Sequence, residues 1–352
     1  MADPGAELTD QHRRAQARLA AEAALTAQEE WRQVSPTNLQ ETSSRWLAVT
    51  LHAQRQLRGR SRRLTAAYVR LLRALRLGST LPPIPEGRPS ADSAPPSLGQ
   101  LRDDFAAACG QPRLRTVDDA VTVSVADDFA WPEPDEEADE RRSVTSLVVT
   151  GPVQAQRGIS RLQQAQQRGR LDDTDFLADL NAVMRDAGAQ AAGAADRDAQ
   201  MGGRDLLDSY ARADRTVLGW ARVTAPDPCW FCAMLASRGA VYRSAWTARY
   251  RGSGTRRRAV GSDLPQGWED WSPDRLAEWE AARGVNRFHD NCHCTLIPVY
   301  SREDWIPPES QAFRELYYES TRGLSGPAAR AAFRAAVEAR RQRAAARGVS
   351  VR

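Results

Sequence analysis

A chain of 352 residues exceeds one typical domain, and its 41% hydrophobic and 27% charged residues exclude an intrinsically disordered polymer. The formal net charge is +4, and the choice of basic residue is biased, because all 49 basic residues are arginine. No stretch reaches the roughly 18 uncharged apolar residues of a membrane helix, and residues 1–30 lack the apolar core of a signal peptide. We therefore expect a protein without a membrane partner that is made in a cytoplasm, where thiols stay reduced.

Two long helices are predicted at the N-terminus. Residues 6–33 are rich in Ala, Gln, Glu and Arg and contain no Gly or Pro, which favours a helix that ends near Ser35-Pro36. From Asn38 to Leu77 a second helix is predicted, in which apolar residues recur at helical spacing as one stripe opposite the arginines. We predict that residues 1–79 form a helical hairpin packed along this stripe. The members of the stripe are Leu64, Tyr68, Leu71, Leu72 and Leu75.

Eight arginines crowd the second predicted helix between positions 55 and 76. Guanidinium groups bind carboxylates and phosphates with paired hydrogen bonds, so nucleic acid and an acidic protein are both candidate partners. A solvated helix face is the alternative that the pattern favours. The candidate contact residues are Arg55, Arg58, Arg62 and Arg63 of this helix, with Arg256, Arg257 and Arg258 of a later loop.

The middle of the chain divides into two regions. Six prolines between positions 82 and 96 and alternating valines at 121–125 predict a Pro-rich tether and extended arm over residues 80–135, with a strand in the arm. Residues 136–218 have helical patterning, with a break near Gly151-Pro152, and predict a central helical region. Within it, Gly202-Gly203 predicts a bend or close packing.

The pattern after Leu218 predicts a small antiparallel sheet. Short strands are predicted at 220–224, 240–243 and 294–300, with a mobile Arg- and Gly-rich loop at 249–270 and a short helix at 273–283. We interpret residues 219–309 as this sheet module and residues 310–352 as C-terminal helices. The predicted fold class is therefore α+β and mainly α, with long N-terminal and central helices and a small sheet module that carries a Cys/His metal cluster.

The metal prediction comes from cysteine spacing. Four of the five cysteines and two of the four histidines fall in the clusters Cys229-Trp-Phe-Cys232 and His289-Asp-Asn-Cys292-His293-Cys294. Zinc takes about four tetrahedral ligands of thiolate or imidazole type, so the two clusters predict one zinc site that folding closes. A disulfide, a redox Cys-x-x-Cys and plain buried thiols are the alternatives. The predicted ligands are Cys229, Cys232, His289, Cys292 and Cys294, and His293 is a spare donor.

Several motifs taken in order resemble those of the MuF-like minor head proteins of tailed bacteriophages. In that family a Cys-x-x-Cys is followed, after a variable gap, by His-Pro-x-Cys-Arg-Cys. The resemblance covers about residues 190–345. This chain departs from the pattern at Asp290 and His293, which stand where the family has proline and arginine, and neither change removes a predicted ligand. The matching motifs are Trp220-Ala-Arg222, Cys229-x-x-Cys232, residues 233–239, Val241-Tyr242, His289-x-x-Cys292-x-Cys294 and Pro298-Val-Tyr300.

The resemblance implies a minor capsid protein that acts in head morphogenesis. Such a protein associates with the portal, contacts the major capsid or scaffold protein, and is present in several copies inside the virion head after assembly in the host cytoplasm. It also implies contact with packaged double-stranded DNA that is not sequence-specific. The zinc would be structural, because a small sheet with a thin core gains folding free energy from a closed metal site.

Two alternatives from other functional classes stay open. Many relatives of this size carry the description capsid maturation protease, and a cysteine nucleophile beside a histidine is the form of it that these residues would allow. The sequence contains neither a Gly-x-Ser-x-Gly elbow nor a His-Glu-x-x-His pair. The other alternative is a nonspecific DNA-binding head protein, which would use the arginines named above.

Overall fold

The computed structural model describes residues 4–85, 94–113, 116–240, 293–303 and 306–346. The predicted mainly helical α+β fold with a small antiparallel sheet is confirmed. None of the helices in these ranges is long and apolar enough to cross a membrane. Three predicted elements lie wholly or mostly outside the described residues, namely the loop at 249–270, the helix at 273–283 and the strand at 240–243.

The N-terminal hairpin consists of two helices, α1 (Pro4–Trp31) and α2 (Leu39–Leu77), joined by a turn at Pro36–Asn38. Both helices lie where the sequence predicts them. Helix α2 ends at Gly78, which adopts the left-handed conformation at φ +67° that glycine reaches without strain.

Contacts at both ends of the hairpin show that its helices run antiparallel. Near the turn, Trp46 Nε1 donates to the carbonyl of Ala27 at 2.9 Å. At the far end, the hydroxyls of Thr9 and Tyr68 are 2.9 Å apart. The predicted apolar stripe packs into this interface, and its buried members are Leu64, Tyr68, Leu71 and Leu72.

Three arginines of α2 are buried, so the expected solvated arginine face is wrong at these positions. Each guanidinium lies beside an aspartate from another element, which offsets the cost of removing its charge from water. Burial lowers the pKa of Arg58 and of Arg70, although each remains a cation. The pairs are Arg58 with Asp198 at 3.6 Å, Arg70 with Asp104 at 2.9 Å and Arg73 with Asp214 at 2.9 Å.

The region predicted as a tether and arm contains a helix that the sequence analysis did not predict, α3 (Leu98–Cys109). A capping box at Ser97 and Gln100 begins it, and Phe105 is buried against the core. Strand β1 (Ser79–Thr80) pairs in parallel with β2 (Ser124–Val125), so the predicted strand at 121–125 is reduced to two residues. The described parts of this region therefore pack against α2.

The central region is helical, as predicted, but the chain does not break at Gly151-Pro152. Helix α4 (Glu136–Val148) continues through a π-helical turn at Val149–Val153 into α5 (Gln154–Gln167). The wider π turn accommodates the missing N–H of Pro152 without ending the helix. Two further helices complete the region, α6 (Asp173–Ala199) and α7 (Met201–Ala213).

The predicted close packing at Gly202-Gly203 is confirmed. A Cβ on Gly202 would lie 2.2 Å from the backbone oxygen of Arg58. A Cβ on Gly203 would lie 2.3 Å from Thr65 Oγ1. The two glycines therefore allow α7 to approach the backbone of α2 at a distance that no other residue permits.

The described C-terminal residues contain one antiparallel strand pair. Strand β3 (Gly219–Val223) pairs with β4 (Thr295–Val299), and α8 (Trp230–Ala236) follows β3. Helices α9 (Pro308–Ser320) and α10 (Gly326–Ala346) confirm the predicted C-terminal helices. They pack on α8 through a separate apolar cluster that contains Ala233, Met234, Ala236, Phe313, Phe333 and Val337.

His12 lies in the core of the hairpin and is 1% exposed. Its ring stacks on Tyr68 with centroids 4.2 Å apart, and Nε2 lies 3.1 Å from Thr65 Oγ1 and 3.3 Å from Gln16 Nε2. Desolvation by burial lowers the pKa of His12 from 6.5 to about 3. The native state therefore holds a neutral imidazole over a range of pH in which the unfolded chain holds a cation.

Substitution of Gly202 by Ala should destabilise the fold by roughly 1–3 kcal/mol, because the added methyl meets backbone that cannot move aside. The free energy of unfolding is measured by urea denaturation. Gly59→Ala is the matched control, since its new Cβ approaches only Arg63 Nη1, at 3.6 Å. That control should stabilise helix α2 by up to about 1 kcal/mol. Equal stability of the Gly202 variant and the wild type would contradict the close approach.

Acid should destabilise the wild type more steeply than a His12→Gln variant. The pKa of His12 is lower in the folded state than in the unfolded state. Its contribution to the free energy of unfolding is therefore complete above about pH 6.5 and is lost as the pH falls toward 3. Within that window, the free energy of unfolding of the wild type should fall by about 1.4 kcal/mol per pH unit more than that of His12→Gln. Urea denaturation at several pH values measures it. His52→Gln changes an exposed histidine of α2 and should leave the wild-type slope unchanged; identical slopes for all three proteins would refute the buried neutral imidazole.

Candidate metal centre

Cys229 and Cys232 occupy the turn that begins helix α8. Cys229 is the N-cap residue, with extended backbone at φ −63° and ψ 157°, and its Sγ accepts the backbone N–H of Cys232 at 3.4 Å. The extended cap and the first helical turn place both thiols at the start of α8. The Cys-x-x-Cys spacing is thus built into the boundary between a loop and a helix.

Cys294 joins this pair through the strand register. Val223 pairs with Thr295, so the end of β3 lies beside the residue that follows Cys294. Cys232 is 1% exposed and Cys294 is 4% exposed, and both belong to one buried cluster against which Cys229 packs. The fold therefore brings together three of the five predicted ligands, from segments more than 60 residues apart in sequence.

The other two predicted ligands, His289 and Cys292, lie outside the described residues. Among the residues that the structure describes, which include Cys229, Cys232 and Cys294, no group of three or more His, Cys, Asp or Glu could hold a metal ion. The donor chemistry of the cluster is that of a zinc site, since thiols are the ligand type that structural zinc sites use and Cys229 Sγ accepts an N–H. Zinc binding stays a prediction.

His293 points away from the cysteines and toward the helical body. Its Nε2 lies 3.0 Å from Asp196 Oδ2. Asp196 is a buried residue of α6, and its other oxygen accepts a hydrogen bond from Gln200 Nε2 at 3.1 Å. Cys294 packs in the cysteine cluster, whereas the neighbouring His293 contacts α6. The sequence could not reveal this contact, because the partners are 97 positions apart.

Arg222 brings a buried guanidinium to the cysteines. This residue lies in β3, is 1% exposed, and donates from Nη2 to Cys232 Sγ at 3.3 Å. A donor directed at the sulfur is the kind of contact that orients a cysteine ligand. In the sequence, Arg222 stood out only as part of the Trp220-Ala-Arg222 motif, with no role attached.

A buried polar network supports the far end of β4. The hydroxyls of Tyr210 and Tyr300 are 2.7 Å apart, and Tyr210 also donates to Asp214 Oδ2. Asp214 in turn pairs with Arg73 of α2. Burial raises the pKa of both tyrosines far above the usual value, so both remain neutral hydrogen-bonding groups. The strand that follows Cys294 is thereby joined to α7 and α2.

The arginines predicted to contact nucleic acid or an acidic partner occupy different environments. Arg55 forms an ion pair with Glu140, and Arg62 donates to the carbonyl of Pro132. Arg63 is exposed, whereas Arg58 is buried beside Asp198 and does not present its charge at the surface. Contact with such a partner stays a prediction for this group. Arg256, Arg257 and Arg258 lie outside the described residues.

Cys109 is separate from the cluster. It is 9% exposed at the end of α3, and burial raises the pKa of its thiol to about 11. This thiol therefore behaves as a small apolar core residue, as its place in an apolar run suggests.

Comparison with known proteins points to bacteriophages. Residues 161–320 match the family model described as VG15 protein. The sequence is 32% identical to the Gene 15 protein of Mycobacterium phage D29 over an alignment of 120 residues, which covers 31% of this chain and 39% of that relative's length. No solved structure matches the chain. Because the family match includes α6, α7, β3, α8, β4 and α9, the similarity to phage proteins coincides with the segments that hold the described cysteines of the cluster.

Proposed function

We propose that this chain is a MuF-like minor capsid protein of a tailed bacteriophage, which acts in head morphogenesis and associates with the portal inside the head. The observation that carries the proposal is that the family match and the cysteine cluster involve the same segments of the chain. The similarity to phage proteins extends over the segments that bring Cys229, Cys232 and Cys294 together. These cysteines belong to the motif on which the MuF-like resemblance rests.

The role of the proposed zinc is structural. Within the described part of the chain, β3 and β4 form a sheet of two strands, and such a pair is marginal in water without further packing. A metal held by Cys229 and Cys232 on one segment, and by Cys294 with His289 or Cys292 on the other, would connect α8 to β4. The gain in folding free energy explains the cysteines without any catalytic step.

The helical body supplies surfaces for protein partners. Helices α5 and α6 form a hairpin in which residues 161–186 are exposed or half-buried, and Leu177 is 60% exposed. A portal ring offers a repeated surface to which amphipathic helices can bind. The major capsid or scaffold protein is the second proposed partner, and contact with packaged DNA through exposed arginines would be nonspecific.

The geometry gives less support to a cysteine protease. A nucleophilic thiol has to be reached by substrate, whereas Cys232 and Cys294 are 1% and 4% exposed. The imidazole of His293 faces Asp196 and not the cysteines. A thiolate that binds metal would also be a poor nucleophile.

The chain should copurify with the portal. We expect an affinity-tagged portal protein, coexpressed with this chain and the major capsid protein, to retain the chain on the column. Intact mass spectrometry should give the full-length mass of every component. Coexpression with an untagged portal controls for binding to the resin. Absence of the chain from the eluted portal would overturn the proposed association, and a defined truncation of the capsid protein would favour the protease.

Purified chain should contain about one zinc per molecule, and metal removal should lower its melting temperature. Cys232→Ser should lose the metal, because a hydroxyl is a weak zinc ligand. The matched control is Cys109→Ser, which changes a buried cysteine outside the cluster and should keep the metal. Inductively coupled plasma mass spectrometry gives the zinc content. A wild-type protein without zinc after purification in zinc-containing medium would refute the metal site.

A further inference from the structure

The buried guanidinium of Arg222 is the feature that neither the motif nor the proposed function accounts for. Arg222 pairs with Leu296 in the antiparallel ladder, so its backbone is fixed by both strands. Ser310 of α9 donates its hydroxyl to the Arg222 carbonyl at 3.4 Å. With 1% of its surface exposed, the side chain has been removed from water, and burying a charge costs several kcal/mol unless nearby groups compensate.

The direction of this side chain identifies one compensating group. Nη2 lies 3.3 Å from Cys232 Sγ, within hydrogen-bonding distance for a sulfur acceptor. Cys232 is itself 1% exposed and packs against Cys294. Because both side chains are buried, water does not compete for this contact, and the guanidinium holds the sulfur in place.

A bound metal would give this contact a second role. Zinc held by the thiolates of Cys229, Cys232 and Cys294 would carry a net charge of about −1 with a neutral histidine as the fourth ligand, and about −2 with a cysteine. Such a charge in a buried place needs a positive neighbour. The guanidinium of Arg222 supplies one positive charge and a directed N–H at the same atom.

We propose that Arg222 is a positioning residue of the cysteine site, which holds Cys232 Sγ in place and neutralises part of the negative charge that the ligands bring to the metal. This inference rests on the zinc site of the proposed function. Arg222 would act through Cys232 and would not bind the metal itself. Groups that hydrogen-bond to metal ligands typically contribute 10- to 100-fold in affinity.

The test compares zinc affinity among four full-length proteins by competition with a chromogenic chelator. These are the wild type, Arg222→Lys, Arg222→Gln and Arg70→Gln. Arg70 is the matched control, because it is also a buried arginine, but it belongs to α2 and its guanidinium contacts Asp104 and the Leu81 carbonyl, away from the cysteine cluster. Far-UV circular dichroism gives the folded fraction of each variant, and the rate at which chelator removes zinc is the second readout.

We expect Arg222→Gln to bind zinc about 10- to 100-fold more weakly and to release it faster, while Arg70→Gln keeps the wild-type affinity. Arg222→Lys should give an intermediate affinity, since it keeps the charge and loses the planar donor geometry. Wild-type affinity and release rate in both Arg222 variants would overturn the inference. If Arg222→Gln does not fold, Arg222→Lys decides alone. A wild-type protein without zinc would refute the metal site itself, and that outcome is distinct from the failure of Arg222.

Discussion

The buried ion pair between Arg73 and Asp214, with 2.9 Å between Nε and Oδ2, connects the N-terminal hairpin to the C-terminal part of the fold. Asp214 follows the last residue of α7, and its Oδ1 accepts hydrogen bonds from the N–H and the hydroxyl of Thr216. The same carboxylate therefore lies at the end of a helix and orients the chain that leads to β3. Burial alone would raise the pKa of Asp214, but hydrogen bonds from Thr216 and Tyr210 and the charge of Arg73 hold it below its usual value. Loss of one partner of such a pair typically costs about 3–5 kcal/mol.

Helix α2 forms three arginine–aspartate pairs of this kind, which account for three of its eight arginines between positions 55 and 76. The carboxylates that compensate Arg58, Arg70 and Arg73 come from α6, from α3 and from the end of α7. Each long side chain reaches from the backbone of α2 into a neighbouring element. A helix of 39 residues is thereby held along much of its length by charges as well as by its apolar stripe.

The sequence predicted those parts of the fold that depend on local pattern. Periodicity and residue type predicted the bounds of α1 and α2 and the two strands beside the cysteines. They also predicted the close packing at Gly202-Gly203. Helix α3 was missed although Ser97 and Gln100 carry a capping-box signature, because the neighbouring prolines suggested an extended segment. The buried arginines were not predictable in the same way, since their partners lie far away in the sequence. For the cysteine site, spacing predicted a cluster whose described members, Cys229, Cys232 and Cys294, pack together, but not the contact of Arg222 with sulfur.

The position of Cys294 is determined by the helical body as much as by the sheet. Strand β4 is held at both ends by polar contacts to the long helices, through His293 and Asp196 before it and through Tyr300 and Tyr210 after it. On the other side of the cluster, Cys229 and Cys232 depend on β3 and α8, which α9 and α10 cover. The cysteines therefore lie where two separately packed groups of helices meet. A metal bound there would link the two groups, and its contribution to stability would extend beyond the sheet to the whole C-terminal half of the chain.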